Sequence, residues 1–191
     1  MKPLYLASQS PRRLQLLDQL GVTPILMPPQ PHEDAEALEA VLPGEAPTTY
    51  VQRVTRLKLE ASLRRMRQLG LPPGVVLCAD TTVARGRVIL GKPQDAAHAL
   101  AMLQALQGGT HRSLTCVAVG TLRRQTQALN ISQVTMASVP TPRLRAYIAT
   151  GEPMGKAGAY AIQGRAAGFI EHIRGSHSGI MGLPLYETAA L

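Results

Sequence analysis

Apolar and polar positions along the chain predict strands and helices that follow each other in mixed order. The apolar run over residues 4–7 predicts a strand buried on both faces, and polar residues 8–10 end it. A helix then begins, because Ser10 is a suitable N-cap and Pro11 fits the first helical position, where its missing N–H costs nothing. Gly21 ends this helix after a predicted buried stripe of Leu14, Leu17 and Leu20.

A second, longer helix is predicted over residues 48–69, with Thr48 or Thr49 as its N-cap. Its predicted buried stripe is Val51, Val54, Leu57 and Ala61. Its predicted exposed cations are Arg53, Arg56, Lys58, Arg64, Arg65 and Arg67. An apolar strand over residues 75–79 follows and is predicted to end at Asp80.

The second half of the chain alternates hairpins with helices. A short strand turns near Gly86 and returns through residues 88–90, and Asp95 is predicted to cap the next helix. Residues 110–122 and 125–139 predict a long antiparallel pair. A helix then starts at Thr141, a strand covers residues 169–174, and a last helix begins near Pro184.

This order of elements predicts the fold class. Because strands are joined by both crossovers and hairpins, we expect an α/β fold over residues 1–191, as one domain or two lobes around a cleft. Its core is a long mixed sheet flanked by helices. Ligands of such sheets bind beyond strand ends, where loops meet a helix N-terminus. Residues 8–13 and Asp80 both follow a predicted buried strand directly.

Composition narrows the class of function. The 191 residues are 45% hydrophobic and 17% charged, as in ordinary globular proteins, and no apolar run approaches the ~18 residues of a membrane span. The formal charge of +8 favours anionic partners. Only 3% of residues are aromatic, so stacking platforms for single-stranded nucleic acid are scarce. A small phosphorylated ligand fits this composition better than nucleic acid or a membrane.

Cysteine usage and the N-terminus bear on the compartment. Cys78 and Cys116 both lie in apolar, strand-like runs, which is typical of buried thiols rather than of a disulfide or a metal pair. The first residues enter a predicted strand and helix without a signal-peptide pattern. We therefore expect a cytoplasmic protein.

The start of the first helix is a candidate phosphate site. Arg12 and Arg13 occupy the first turn, although the helix dipole is already positive there. Together with Ser8, Ser10 and the free N–H groups of the turn, they form a group that would bind an anion. A capped helix with solvated arginines is the alternative, and local physics alone supports both equally.

Asp80 is the sharpest candidate for catalysis. A carboxylate at the end of an apolar strand is placed to bind a metal ion or to activate water, although it could also cap the following turn. Glu33 could supply a second carboxylate from a proline-rich acidic loop that also contains Asp34 and Glu36, although it could equally be a solvated loop residue. Lys92 in Gly-Lys-Pro suits a phosphate contact, and Lys58 could serve the same purpose or simply face solvent.

Other common active-site patterns are absent from the sequence. It contains no G-x-x-x-x-G-K-[ST], H-E-x-x-H, C-x-x-C or G-x-S-x-G motif. What remains is a set of cations with a few carboxylates, which is the composition expected for hydrolysis of a magnesium-bound triphosphate.

Six motifs in order resemble the Maf family of nucleoside triphosphate pyrophosphatases. They are S-x-S-P-R-R from Ser8, the acidic Glu33, Y-V-x-R with Lys58 on one helix, A-D-T around Asp80, G-K-P around Lys92, and K-A-G-A-Y-A-I-Q-G from Lys156 to Gly164, followed by G-S and G-L-P-L. The resemblance implies a Maf/Ham1 (ITPase-like) architecture, with a strongly twisted sheet around a central cleft. It also implies a hydrolase that splits the triphosphate between the α and β phosphates.

The resemblance assigns roles to individual residues. It implies that Asp80 is the general base or anchors a divalent cation (Mg²⁺, Mn²⁺ or Co²⁺) together with Glu33, and that Lys58 and Lys92 line the catalytic pocket. Arg12, Thr81 and Gln163 match positions linked to substrate choice. Relatives are often homodimers, so a homodimer is one expected assembly.

The family divides by substrate, and this chain resembles the dTTP and UTP branch. The 7-methyl-GTP branch tends to have S-P-W-R-R, a Gln after the Asp, and a Glu in place of Gln163. The amide of Gln163 can satisfy N3–H and one carbonyl of uracil or thymine. We therefore expect hydrolysis of dTTP, UTP and modified pyrimidine nucleotides. The alternatives are a 7-methyl-GTP or broad-range enzyme, or a non-catalytic nucleotide- or nucleic-acid-binding regulator of septum formation.

Overall fold

A computed structural model describes residues 2–34 and 37–191 of the chain, and these residues form a seven-stranded mixed sheet. The strands are β1 (Leu4–Leu6), β2 (Ile25–Leu26), β3 (Val75–Arg85), β4 (Val88–Leu90), β5 (Gly109–Gly120), β6 (Gln125–Met136) and β7 (Ile170–Arg174). Their order is β2-β1-β3-β5-β6-β7, with β4 paired to β3. β1 runs parallel to β2 and β3, and the other pairs are antiparallel. The predicted α/β class with a mixed sheet is confirmed.

Helices cover both faces of this sheet. They are α1 (Pro11–Gln19), α2 (Pro47–Gln68), α3 (Ala96–Leu106), α4 (Thr141–Ile148), α5 (His177–Met181) and α6 (Leu185–Ala190), with short 3-10 turns at Ala37–Glu39, Ala157–Ala159 and Arg165–Phe169. No helix of the described ranges has both the length and the apolar composition of a membrane span.

The alternation of side chains along β3 separates two layers of core. Val76 and Cys78 pack against α2, whereas Leu77 and Ala79 point the opposite way, toward α1 and Leu183. Farther along, Val83 joins the core formed by α3, α4 and the C-terminal segment. The centre of β3 is therefore buried on both sides, as its apolar sequence predicts.

β3 does not end at Asp80, and that part of the prediction is wrong. The strand continues to Arg85, and β5 pairs with it from Val76↔Gly120 to Ala84↔Arg112. Residues 81–84 are threonine, valine and alanine, and a full-length partner strand makes an extended conformation favourable there. Asp80 consequently lies in the middle of a strand rather than at its exit.

Two local details of the helices also differ from prediction. In α1 the buried residues are Leu16 and Leu17, while Leu14 is exposed, because β1 and β3 contact a different face of the helix. In α2 the N-cap is Ala46, since Pro47 takes the first helical position. The predicted caps at Ser10 and Asp95 do occupy N-cap positions, but only Asp95 accepts a capping hydrogen bond through its side chain.

The sheet leaves a gap along one edge of β3. β1 pairs only with Val75–Leu77, and β4 pairs only with Val83–Arg85. Between them, within the described ranges, residues 78–82 have no strand neighbour on that side. The loop after β1 and the corner after β4 flank this gap, so the fold brings their side chains to one place.

Candidate active site

A cleft of about 710 Å³ opens along the free edge of β3. All of the site residues predicted from the sequence line it: Ser8, Ser10, Arg12, Arg13, Glu33, Lys58, Asp80, Thr81, Lys92 and Gln163. Glu36, from the predicted acidic loop, lies outside the described residues. The location of these residues is thus established by the fold, while the role of each stays a prediction.

One side of the cleft holds a chain of alternating charges. Lys58, on α2, donates to Asp80 Oδ1 over 2.5 Å and to Glu39 Oε1 over 2.7 Å. Lys92 Nζ donates to the other Glu39 oxygen over 2.9 Å. Asp80 is only 7% exposed, so its charge is held by Lys58 rather than by water. We call Asp80, Lys58, Glu39 and Lys92 the charged side of the cleft.

The charges on this side stabilise one another. Burial by itself would lower the pKa of Lys58, but the charges of Asp80 and Glu39 outweigh it and raise that pKa. Burial would likewise raise the pKa of Glu39, yet Lys58 and Lys92 outweigh it and lower that pKa. Both groups, Lys58 and Glu39, therefore keep their charge at neutral pH.

The sequence did not indicate Glu39. It lies at the end of the 3-10 turn Ala37–Glu39, in a stretch without a motif, and its role depends on lysines 19 and 53 residues away. Its only signal in the sequence was its place in the same acidic segment as Glu33.

Glu33 lies in the cleft but is held by an arginine. Arg65 donates through Nε to Glu33 Oε1 over 2.6 Å and through Nη2 to Glu33 Oε2 over 2.5 Å. The same guanidinium reaches the carbonyl of Met27, so the pair fastens the acidic loop to α2. Arg65 was predicted to be exposed, and this is wrong, since it is only 3% exposed. A buried guanidinium needs a partner, and Glu33 supplies it.

The arginines of α1 join the start of the chain to its end. Arg13 donates through Nε to the carbonyl of Gly182 over 2.8 Å and through Nη1 to Ser8 Oγ over 3.1 Å. Arg12 donates to the carbonyl of Met181 over 3.3 Å. Burial lowers the pKa of Arg13, although Asp80 partly offsets this. The alternative of solvated arginines at the start of this helix therefore does not hold for Arg13.

The cleft also contains uncharged polar groups, which lie among the cations Arg12, Arg13 and Lys156 of the same lining. Thr81 Oγ1 lies 2.9 Å from Thr115 Oγ1, and Thr115 donates to the carbonyl of Gly179 over 2.7 Å. Gln163 is exposed and lines the same cleft. We call Thr81 and Gln163, together with the buried Thr115 that contacts Thr81, the neutral side of the cleft. Thr115 was not predicted, because its contact with Gly179 spans 64 residues.

The turn that carries Gln163 is fastened at both ends. Before it, the Ala161 N–H donates to the hydroxyl of Tyr147 over 3.3 Å. After it, the Arg165 N–H donates to Glu152 Oε2 over 3.0 Å, and Tyr147 itself donates to Glu152 Oε1 over 2.9 Å. A Cβ on Gly164 would come within 2.4 Å of Glu152 Oε1, so a larger residue there would displace the Glu152 carboxylate. Tyr147 and Glu152 therefore fix the position of Gln163.

Comparison with known proteins gives one consistent result. A family model described as "Maf-like protein" matches residues 3–191. A dTTP/UTP pyrophosphatase of Albidiferax ferrireducens is 61% identical over 188 residues, which cover 98% of this chain and 94% of that protein. A dTTP/UTP pyrophosphatase of Polaromonas sp. is also 61% identical, covering 98% and 93%. One from Burkholderia pseudomallei is 60% identical over 190 residues, covering 98% and 91%.

Proposed function

The chain belongs to the Maf family, and we propose that it hydrolyses dTTP and UTP to the monophosphate and pyrophosphate. The observation that carries the proposal is the division of one cleft into a charged side and a neutral side. The triphosphate of a nucleotide requires the charged side, and its base requires the neutral side. The names of relatives at about 60% identity, which span nearly the whole chain, support the same substrates.

Asp80 is the group proposed to act on the attacking water. It is the carboxylate that faces the lysines from the sheet, and Lys58 keeps one of its oxygens hydrogen-bonded. A carboxylate oriented in this way can take a proton from water as the water attacks the α-phosphorus. The bond from that phosphorus to the bridging oxygen then breaks, and pyrophosphate leaves.

Lys58, Lys92, Arg12 and Arg13 are proposed to bind the phosphates. Lys58 and Lys92 converge on the Glu39 carboxylate, so an anionic group at that position contacts both ammonium ions at once. A phosphate has the same charge sign and more oxygen acceptors, and it would share or take over these contacts. The guanidiniums of α1, which border the same cleft, would hold the other end of the triphosphate.

A divalent cation is proposed as cofactor, and the donor set fits one. Within residues 2–34 and 37–191 no cluster of three or more His, Cys, Asp or Glu side chains forms a ready-made cage. Mg²⁺ in nucleotide enzymes usually takes only one or two carboxylates and completes its shell with phosphate oxygens and water. Asp80 and Glu39 share the ammonium of Lys58, so they are close enough to serve together.

We propose these two carboxylates rather than Glu33, because the lysines that hold Glu39 can move to the phosphates, whereas Glu33 is held by the buried Arg65. Both oxygens of Glu33 are taken by Arg65. Asp80 and Glu39 would hold Mg²⁺, Mn²⁺ or Co²⁺, and the cation would neutralise charge on the triphosphate. The metal role first predicted for Glu33 would then require that its contact with Arg65 opens.

The base is proposed to lie against the neutral side, near Thr81 and Gln163. Uncharged donors and acceptors distinguish bases by their hydrogen-bonding edge, whereas a carboxylate there would repel the carbonyls of uracil. A cytoplasmic location and a homodimer belong to the same proposal, and the two buried, free thiols Cys78 and Cys116 agree with a reducing compartment.

One assay tests the proposal. Pyrophosphate release is measured for dTTP, UTP, CTP, 7-methyl-GTP and the purine triphosphates, each with Mg²⁺, Mn²⁺ or Co²⁺ and with EDTA as control. We expect turnover of dTTP and UTP above the rest and none with EDTA. Highest turnover of 7-methyl-GTP, or equal turnover of all, would favour the alternative enzymes. Tight binding of nucleotide without any pyrophosphate would favour a binding protein.

A further inference from the structure

A chain of hydrogen bonds runs from the C-terminal segment through the sheet into the cleft. Thr115 Oγ1 lies 2.7 Å from the carbonyl oxygen of Gly179 and 2.9 Å from Thr81 Oγ1. Thr81 and Thr115 face each other across β3 and β5, so their side chains share one face of the sheet. Thr115 is buried, whereas Thr81 is half-buried and lines the cleft. The chain therefore ends on the substrate side at Thr81.

The direction of the protons in this chain follows from the groups themselves. A carbonyl oxygen can only accept, so the single hydroxyl proton of Thr115 is given to Gly179. Thr115 can then only accept from Thr81, and the proton of Thr81 points into the sheet. What Thr81 presents to the cleft is an oxygen with free lone pairs. Thr81 acts toward a ligand as an acceptor and not as a donor.

The far end of the chain is rigid. Ser176 Oγ accepts from the Gly179 N–H over 3.0 Å, and the Gly182 N–H donates to the Gly179 carbonyl over 3.0 Å. A Cβ on Gly179 would lie 2.7 Å from Asn130 Oδ1, so the backbone is packed closely against β6. The Gly179 carbonyl cannot easily turn away from Thr115, and the proton order is maintained.

We infer that Thr115 is a positioning residue for base selection, because it makes Thr81 a fixed acceptor for the N3–H of uracil and thymine. Cytosine carries a bare lone pair at N3, which such an acceptor repels. The inference rests on the proposed function. It assigns the hydrogen-bonding edge of the base to two residues. Thr81 takes N3–H, and the Gln163 amide donates to a neighbouring carbonyl, whereas the sequence alone assigned both contacts to Gln163.

Thr115→Val tests the inference, because it removes the hydroxyl and nearly keeps the shape. Without that acceptor the proton of Thr81 can turn into the cleft and donate to N3 of cytosine. We expect kcat/KM for CTP to rise, kcat/KM for UTP to fall, and their ratio to drop about tenfold, the usual cost of one unpaired group. A rise for CTP is a result that simple damage to the fold would not produce.

Two control variants accompany it. Thr115→Ser retains the hydroxyl and should keep the wild-type UTP to CTP ratio. Thr55→Val removes an equally buried threonine hydroxyl, which donates to the Val51 carbonyl on α2 over 2.7 Å. Thr55 is not part of the cleft lining, so Thr55→Val should also keep the wild-type UTP to CTP ratio. Circular dichroism checks folding, and Thr115→Ala carries the same expectation if Thr115→Val does not fold.

The possible failures are distinguishable. If wild type hydrolyses neither UTP nor dTTP, the proposed function is wrong, and so is the inference. If Thr81→Val leaves the UTP to CTP ratio unchanged in an active enzyme, Thr81 does not face N3 and the inference alone is wrong. It is also wrong if Thr81→Val changes the ratio while Thr115→Val does not, or if Thr115→Val lowers UTP and CTP turnover in equal proportion.

Discussion

The two sides of the cleft differ in chemistry although they begin at adjacent residues of one strand. Asp80 points to the α2 face of the sheet, where Lys58 meets it, and Thr81 points to the other face, where Thr115 meets it. The first side is held by ion pairs and the second by hydrogen bonds between neutral groups. A single extended strand thus separates the groups proposed to bind the phosphates from the groups proposed to recognise the base.

This separation has a physical consequence. Phosphates are the same in every nucleoside triphosphate, so lysines and carboxylates act on all of them alike. Bases differ only in where their donors and acceptors lie, and a fixed neutral group senses that difference. Changes on the charged side should therefore scale turnover uniformly, and changes on the neutral side should alter ratios between substrates.

The largest expected effect is on the charged side. Asp80→Asn keeps the shape but removes the charge, and loss of a general base alone typically costs ~10²–10⁴-fold in rate. We expect near-complete loss of pyrophosphate release for every substrate, with the circular dichroism spectrum unchanged. Asp95→Asn is the matched control, since asparagine caps α3 as well as aspartate does and the residue lies outside the cleft lining. Wild-type rates in Asp80→Asn would show that Asp80 is not a catalytic residue.

Loss of a phosphate-binding cation should come next. Lys58→Ala and Lys92→Ala each remove charged hydrogen bonds, which are worth ~1.5–3 kcal/mol, so turnover should fall on the order of ten- to a hundredfold. The fall should be equal for UTP, dTTP and CTP. Arg67→Ala, an exposed cation at the end of α2 and outside the cleft lining, should change nothing. A changed UTP to CTP ratio with normal UTP turnover would contradict the division between the two sides.

On the neutral side, Gln163→Glu should change preference. A carboxylate repels the carbonyls of uracil and thymine, and an unpaired group costs ~1–3 kcal/mol, so we expect about a tenfold or greater selective loss of dTTP and UTP. The measurement is kcat/KM across the nucleotide panel. If Gln163 only holds its loop through the backbone, all substrates will decline in proportion and the ratios will stay flat.

A smaller effect of the same kind is expected from Glu152→Gln. One amide oxygen cannot replace both carboxylate oxygens, which accept from Tyr147 and Arg165, so the Gln163 turn should loosen. With one net hydrogen bond worth ~0.5–1.5 kcal/mol, the UTP to CTP ratio should fall about threefold to tenfold. Glu187→Gln makes the same chemical change outside the cleft lining and should keep the ratio. A ratio retained in Glu152→Gln would show that the turn holds without it.

The pH dependence of stability provides a test that does not depend on turnover at pH 7. His111 is buried, pairs with the Tyr160 hydroxyl over 2.8 Å, and burial lowers its pKa to about 4. In the unfolded chain it titrates near its ordinary value of about 6.5, so protonation favours unfolding as the pH falls from about 6.5 to 4. The penalty is on the order of 3 kcal/mol below pH 4.

Urea unfolding of wild type and His111→Phe between pH 7 and 4 measures this penalty. Carboxylates with lowered pKa values, such as Glu39, destabilise both proteins in the same direction, so the difference between the two curves isolates His111. The free energy of unfolding of the variant should fall less steeply with decreasing pH. Parallel curves would show that His111 does not titrate on unfolding.

Elements whose formation depends on neighbouring residues could be predicted from the sequence. The long pair β5 and β6, the helix capped by Asp95, and the buried cysteines follow from periodicity, capping and apolar runs, all of which act over a few residues. The ten predicted site residues also line one cleft, and the short motifs that contain them could be recognised in the sequence, although Asp80 and Thr81 lie inside β3 and Lys58 lies inside α2.

What only the tertiary structure decided depends on partners far apart in the chain. Arg65 is buried because Glu33, 32 residues earlier, reaches it, and Glu39 enters the cleft because Lys58 and Lys92 bind it. β3 continues past Asp80 because β5 lies beside it, and Thr81 becomes an acceptor because Gly179 orders the proton of Thr115. Local patterns carry no record of such pairs, since an ion pair or a hydrogen bond depends on distance in space and not on separation along the chain.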